Sequence, residues 1–112
     1  MTKQILMYQT TGGIVPFEQW VSSLKDKNLR HRVTSRLDRL VLGNFGDVKQ
    51  IAVGVLELRL HFGPGYRIYC GLDGDTIIIL LCAGDKSTQP NDISRAQKYW
   101  KDYLRRKHES SG

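Results

Sequence analysis

One predicted β-hairpin carries the side chains whose types could do chemistry. Successive side chains of a strand point to opposite faces of a sheet, so residues two apart share a face. Glu57, Arg59 and His61 therefore share one face of the first strand, and Arg67 and Tyr69 join them from the second strand. The alternate positions of both strands are apolar and belong to the opposite face.

This combination of residues suits the cleavage of a phosphodiester without a metal ion. RNA that is cleaved by its own 2′-hydroxyl needs a base for that proton, an acid for the departing 5′-oxygen, and cations around the phosphorane. Histidine is the side chain that most readily serves as base or acid near neutral pH, and His61 supplies one. Arginine donates to phosphate oxygens in pairs. Lys86 follows the last predicted strand and can reach the same face from its rim.

Other kinds of site are less well supported. No carboxylates or histidines have metal-ligand spacing, and there is no Ser-His-Asp arrangement. The Gly-Pro-Gly turn at residues 63–65 precedes a strand rather than a helix, unlike a phosphate-binding loop. The simpler alternative is a solvated sheet face on which Glu57 pairs with Arg59 or Arg67 across the strands. The residues alone leave both interpretations open.

The composition indicates one globular domain with a basic surface. The 112 residues include 17 Lys and Arg against 11 Asp and Glu, a formal charge of +6, and 40% are hydrophobic. This charge favours a polyanionic partner such as nucleic acid, or else only makes a soluble basic surface. There is no signal-peptide stretch and no apolar run long enough for a bilayer, so we expect a cytoplasmic protein without a membrane partner. Cys70 and Cys82 are expected to be small buried hydrophobes rather than ligands.

The periodicity of the apolar residues predicts a single α+β domain over residues 1–112. Pro16 opens a first helix, where its missing N–H is not needed, and a C-terminal helix is capped by Asn91 or Asp92. Residues 109–112 should fray. The predicted order is β-α-α-β-β-β-β-α, with a mostly antiparallel sheet packed against two N-terminal helices and a C-terminal helix. The predicted strands are residues 3–10, 49–53, 55–62, 66–72 and 76–83, and the second helix covers residues 27–42.

Three strings of this sequence resemble a known group of proteins. They are GVLELRL at residues 54–60, GPGYRIY at 63–69 and GDKSTQ at 84–89, with Asp92, Ile93 and Ala96 following. With them the chain is similar, over nearly its whole length, to toxins of the RelE/ParE superfamily. The resemblance is narrower to the HigB-like branch, also called addiction module killer proteins.

The resemblance implies the toxin of a type II toxin–antitoxin module. Such a toxin is neutralised by a cognate antitoxin, usually a small helix-turn-helix DNA-binding protein. RelE-like members cleave messenger RNA in the ribosomal A site with basic side chains of the sheet, without a metal or another cofactor. The ParE branch shares the fold but inhibits DNA gyrase by protein–protein binding. A third alternative is a degenerate domain that only binds antitoxin.

The resemblance also implies roles for individual residues. Arg59 falls where RelE-like toxins carry a catalytic lysine, Arg67 matches the arginine after Gly-Tyr, and Lys86 falls at another basic position. The tyrosine that RelE carries near its C-terminus has no counterpart here. His61 or Tyr69 is therefore the candidate for proton transfer.

A second set of residues is predicted to contact RNA or the ribosome. Arg32, Arg36 and Arg39 recur at helical spacing beside the apolar face of the second helix. Such a stripe forms either a solvated helix flank or a nucleic-acid contact. Glu57 and Tyr66 of the hairpin complete this set.

Overall fold

The fold is a single mixed sheet with helices on both faces, seen in a computed structural model that describes the backbone of residues 2–111 and the side chains of residues 2–110. The predicted α+β class and element order are confirmed. The elements are β1 Gln4–Met7, α1 Pro16–Ser23, α2 Lys27–Val41, β2 Val48–Ala52, β3 Val55–Leu60, β4 Tyr66–Asp73, β5 Ile77–Asp85, a 3-10 turn Lys86–Thr88 and α3 Gln89–Ser111.

The strand order of the sheet is β1-β5-β4-β3-β2. β1 runs parallel to β5, and the other neighbouring strands are antiparallel. In the β3–β4 hairpin, Glu57 lies opposite Tyr69 and Arg59 lies opposite Arg67. This register brings the polar side chains of both strands together on one face.

Helices α1 and α2 cover the apolar face of the hairpin. Pro16 begins α1, and the Asp26 carboxylate caps α2 by accepting a hydrogen bond from the Asn28 backbone N–H at 2.8 Å. The apolar stripes of both helices then pack against the sheet. The main residues of this core are Phe17, Leu24, Leu29, Val33, Leu40, Leu58, Leu60, Ile68, Cys70, Ile78 and Leu80.

Helix α3 packs across the opposite face. Ala96 and Trp100 are buried there against Val55, Tyr69 and other residues of β3, β4 and β5. Gly71 permits this close approach, because a Cβ at that position would lie only 2.2 Å from the Trp100 ring. The far end of the hairpin, where β3 ends and β4 begins, lies beside the start of α3.

The predicted cap of the C-terminal helix was wrong. Asp85 caps instead, because its carboxylate accepts from the backbone N–H groups of Ser87 and Thr88, and α3 then continues directly from the 3-10 turn. Asp92 is buried inside the helix and accepts a hydrogen bond from the Thr88 hydroxyl at 2.5 Å.

Smaller differences occur at the ends of elements. β3 stops at Leu60, so His61, which the prediction placed inside the strand, lies just beyond its end. α3 continues to Ser111, and the fraying predicted for residues 109–112 stays a prediction, with Gly112 outside the described residues. Cys70 and Cys82 are buried, as predicted, and both are free cysteines. No helix in residues 2–111 has both the length and the apolar character needed to cross a membrane.

Candidate active site

A buried carboxylate lies at the centre of the polar face of the hairpin. Glu57 is fully buried. The Arg59 Nε atom donates to its Oε1 at 3.2 Å, and the Tyr69 hydroxyl and the Gln89 side-chain amide donate to its Oε2 at 3.0 and 2.8 Å. The Arg67 Nε atom lies 3.7 Å from Oε2, within ion-pair distance. These partners offset the cost of removing the charge from water.

The same contacts determine which groups of the cluster are charged. Burial alone would raise the pKa of Glu57, but hydrogen bonds from Gln89, Tyr69 and Arg59 outweigh burial and hold this pKa below its ordinary value. Burial and the hydrogen bond to Glu57 raise the pKa of Tyr69 far above its ordinary value. At neutral pH Glu57 is therefore an anion, and Tyr69 is a protonated hydrogen-bond donor.

Two arginines lie directly opposite each other beside this carboxylate. Like charges in a directly opposed cross-strand pair are destabilising, and the Glu57 carboxylate between Arg59 and Arg67 counters that repulsion. The Arg59 side chain is 31% exposed and that of Arg67 is 15% exposed. The buried Arg67 Nε has no hydrogen-bond partner within the described residues. That atom faces Glu57, and Arg67 Nη1 donates to the Gly65 carbonyl at 3.4 Å, so an external anion can reach only the exposed remainder of the two guanidiniums.

Lys86 lies at the rim of this pair. A Cβ placed on Gly65 would lie 3.8 Å from the Arg67 Nη1 atom and 4.0 Å from the Lys86 Cβ atom, so the turn at residues 63–65 adjoins both cations. Lys86 is exposed and begins the 3-10 turn capped by Asp85. A hydrogen bond from Ser87 lowers the pKa of the Asp85 carboxyl, which is thus engaged in capping. Three cations are gathered at this end of the sheet.

His61 lies just beyond the end of β3 and is held by an acid. Its side chain is 73% exposed, and its Nε2 atom forms a short hydrogen bond with the Asp47 carboxylate. That hydrogen bond is the main reason why the pKa of Asp47 is lowered, and the charge of Arg59 also contributes. His61 is therefore accessible and is oriented by a carboxylate, and this carboxylate also feels the charge of Arg59.

Arg36 differs from its two neighbours on α2. Only 6% of it is exposed, and its guanidinium donates to the backbone carbonyls of Arg59, Phe45 and Asp47 at 2.6, 2.8 and 2.7 Å. Burial lowers the pKa of Arg36, and the three carbonyls satisfy most of its donors. Arg36 thus holds the end of β3 and the segment that precedes β2, whereas Arg32 and Arg39 remain exposed.

The structure separates the predicted site residues into accessible and buried ones. Glu57 and Tyr69 are both fully buried and cannot touch an external ligand in this arrangement. Tyr66 is half-buried, with its ring centroid 5.5 Å from that of Phe62. The ion pairs of Glu57 that belonged to the simpler alternative are present, but Glu57 itself is buried and not on a solvated face.

Sequence reasoning missed two residues of the cluster. Gln89 fell in a predicted loop, but it is the first residue of α3 and reaches the Glu57 carboxylate. Asp47 precedes β2, 14 positions from His61 in the chain. No periodic pattern marks either residue, although Gln89 ends the third of the strings noted above.

The fold and the site together define a class of protein. It is a small α+β domain with a cationic cluster at one end of an antiparallel hairpin. The family model described as phage-derived protein Gp49-like (DUF891) matches residues 19–101. An uncharacterized protein of Haemophilus influenzae is 44% identical over 81 residues, which make up 72% of this chain and 82% of that protein.

The chain therefore belongs to the Gp49-like family. This is a RelE/toxin-like family found in addiction-module contexts, and it indicates a protein related to toxin–antitoxin systems. The matched region contains every residue of the cluster around Glu57.

Proposed function

We propose that this protein is the toxin of a type II toxin–antitoxin pair and cleaves messenger RNA on the ribosome without a metal ion, as in the HigB-like branch. One observation carries the proposal. Two partly exposed arginines are placed directly opposite each other and held by a fully buried glutamate. One carboxylate balances only one of the two guanidinium charges, so the pair keeps a net positive charge that an external anion can neutralise.

The scissile phosphate binds at the outer side of Arg59 and Arg67. As the 2′-oxygen attacks phosphorus, the phosphorane gains negative charge, and the two guanidiniums stabilise it with paired hydrogen bonds. Lys86 at the rim adds positive charge near the departing 5′-oxygen, which takes its proton from solvent. The bond to the 5′-oxygen breaks as the bond to the 2′-oxygen forms, and a 2′,3′-cyclic phosphate remains.

His61 removes the proton from the 2′-hydroxyl. His61 is exposed. Tyr69, the other candidate, is fully buried, and its hydroxyl donates a hydrogen bond to Glu57. Asp47 orients the imidazole and stabilises the imidazolium that forms when the proton arrives. Glu57, Tyr69 and Gln89 position the arginines and do not touch the RNA.

The test is to induce the protein in growing cells and to map messenger RNA ends on ribosomes. Arg67→Ala and His61→Ala should each lower cleavage by about 10²–10³-fold, the usual effect of removing one group that stabilises or deprotonates the transition state. Arg30→Ala is the matched control, because this exposed arginine of α2 lies outside the cluster. It should cleave as the wild-type protein does.

Other outcomes would replace this function. Intact transcripts with impaired DNA supercoiling would support a ParE-like inhibitor of DNA gyrase. Intact transcripts and normal supercoiling, with antitoxin binding retained, would identify a degenerate antitoxin-binding domain. A helix-turn-helix protein encoded in the adjacent reading frame is the expected antitoxin, and the ribosomal target implies action in the cytoplasm.

A further inference from the structure

Two adjoining cavities lie between α2 and the turn of the hairpin, away from the buried glutamate. They share Arg32 and Phe62, which line both. The first cavity is about 260 Å³ and the second about 250 Å³. The other residues that line them differ in chemistry between the two cavities. This difference indicates which ligand the two cavities could bind jointly.

The first cavity is cationic. Besides the shared residues it is lined by Arg36, Arg39 and His61, with Ser35 and Leu60, and no acidic residue lines it. Arg36 is fixed by three backbone carbonyls, and its buried Nε has no hydrogen-bond partner within the described residues. The Asp47 carboxylate is hydrogen-bonded to His61 of this lining. A phosphate group matches this charge and donor pattern.

The second cavity is lined by aromatic rings and an amide, and also by Asp26, whose carboxylate caps α2. The Arg32 guanidinium lies over the Phe62 ring, 4.7 Å from its centroid, and the Tyr66 ring continues the aromatic surface. Asn28 lines the same cavity and is exposed, so a ligand can reach its side-chain amide. Aromatic rings and arginine planes stack on nucleobases, and a free amide can bond to a base edge.

We propose that the two cavities form one nucleotide subsite for single-stranded RNA. A phosphate binds among Arg32, Arg39 and His61, and the attached base stacks on Phe62 and Tyr66 beside Arg32. The proposal rests on the proposed RNA-cleaving function and extends it, because His61 belongs both to this cavity and to the reacting centre. The subsite would therefore hold a nucleotide next to the scissile phosphate and contribute to sequence preference.

The experiment measures binding of a fluorescein-labelled 2′-O-methyl RNA hexamer to the purified full chain at several salt concentrations. The 2′-O-methyl groups prevent cleavage, so binding is measured separately from chemistry. Arg39→Gln should weaken binding about 5–20-fold and make the salt dependence shallower, by about 0.7 in the log–log slope for one lost phosphate contact. Phe62→Leu should weaken binding about 5–100-fold without changing that slope, because stacking carries no charge.

Arg30→Gln is the matched control for charge on α2 and should bind as the wild-type protein does. Circular dichroism of each variant checks that it is folded. Wild-type affinity in both Arg39→Gln and Phe62→Leu would overturn the subsite. Weakening by Arg39→Gln alone would overturn the stacking half of it.

The two proposals fail in different ways. If both variants bind RNA weakly but the wild-type protein cleaves no message on ribosomes, the subsite stands and the ribonuclease function fails. If the wild-type protein cleaves, and both variants bind and cleave as it does, the ribonuclease function stands and the subsite fails.

Discussion

The two faces of the β3–β4 hairpin carry opposite kinds of interior. Under α1 and α2, Leu58, Leu60 and Ile68 pack in an apolar core. One residue along the same strand, on the face toward α3, Glu57 is just as buried but is surrounded by arginine, tyrosine and glutamine side chains. The comparison separates the part of the hairpin that stabilises the fold from the part that positions charges.

The physical reason for the difference is the cost of burial. Burying a leucine side chain contributes roughly 1.5–3 kcal/mol. Burying a carboxylate costs several kcal/mol, which partners must offset, so the net gain is small. The apolar face should therefore govern stability, and the polar face should govern activity more than stability.

The largest loss of stability should come from the apolar face. Leu58→Ala should lower the free energy of unfolding by about 3 kcal/mol, because it leaves a cavity in the core. Cleavage per folded molecule should stay near the wild-type value. Urea denaturation followed by circular dichroism measures the first quantity, and RNA cleavage under conditions that keep the variant folded measures the second.

Leu42→Ala is the matched control for this substitution. Leu42 is 72% exposed, so its truncation should change stability by less than about 0.5 kcal/mol. Equal losses from Leu42→Ala and Leu58→Ala would contradict the assignment of the core.

Glu57→Gln should affect both properties. It removes the buried charge between two arginines, and we expect a loss of about 2 kcal/mol, below the usual 3–5 kcal/mol because the arginines are partly exposed. Activity should fall at least tenfold, because the arginines lose their common anchor. Stability is measured by urea denaturation and activity by mapping RNA ends.

The control is Glu109→Gln on α3, where the exposed carboxylate pairs with Arg105. This change should be nearly neutral in stability and activity. If the Glu57→Gln variant is less stable but cleaves RNA normally, then Glu57 stabilises the fold and does not position the arginines for cleavage.

Gly71→Ala should disturb the packing of α3 on the polar face. The added Cβ would meet the Trp100 ring, and overpacking of this kind costs about 1–3 kcal/mol. Thermal denaturation and the fluorescence of Trp100 report this change. Gly12→Ala is the control, because its nearest neighbouring atom would be 3.8 Å away. Adding Trp100→Leu to Gly71→Ala should recover part of the loss, and no recovery would argue against the clash.

The smallest effect should be the pH dependence of the contribution that the Glu57 carboxylate makes to the free energy of unfolding. Its folded pKa lies below the ordinary value of 4.5, so its stabilising contribution is complete above the unfolded pKa and is lost as the pH falls through the folded pKa. The stability difference between the wild-type protein and Glu57→Gln should therefore be constant from pH 7 to 5 and shrink below about pH 4. Urea denaturation of both proteins at each pH measures it, and a difference that grows in acid would reverse the assigned sign.

Local patterns predicted much of this molecule. The period of two placed Glu57, Arg59, Arg67 and Tyr69 on one face, since side-chain alternation follows from the backbone of the strand itself. The element order followed in the same way from apolar periodicity and from Pro16 at the start of α1.

Element ends were less predictable because neighbouring residues compete for the same role. Asp85 and Asp92 are both good helix caps by type. Only the folded chain shows that Asp85 reaches the free N–H groups, while Asp92 is drawn inside against Gly84, where a Cβ would lie 1.9 Å from its Oδ2 atom. Gln89 was missed for the same reason, since its loop became the first turn of α3.

The sequence by itself determined which hairpin residues share a face, because that property depends only on adjacent residues. It did not determine which of them are buried. Burial depends on the segments that pack over a residue, and these are distant in the chain: α3 brings Gln89 to Glu57, and the backbone around residues 45–47 encloses Arg36. Tertiary structure alone therefore divided a set of similar arginines into Arg36, which three backbone carbonyls hold in the interior, and Arg59 and Arg67, which pair with Glu57 and stay partly exposed.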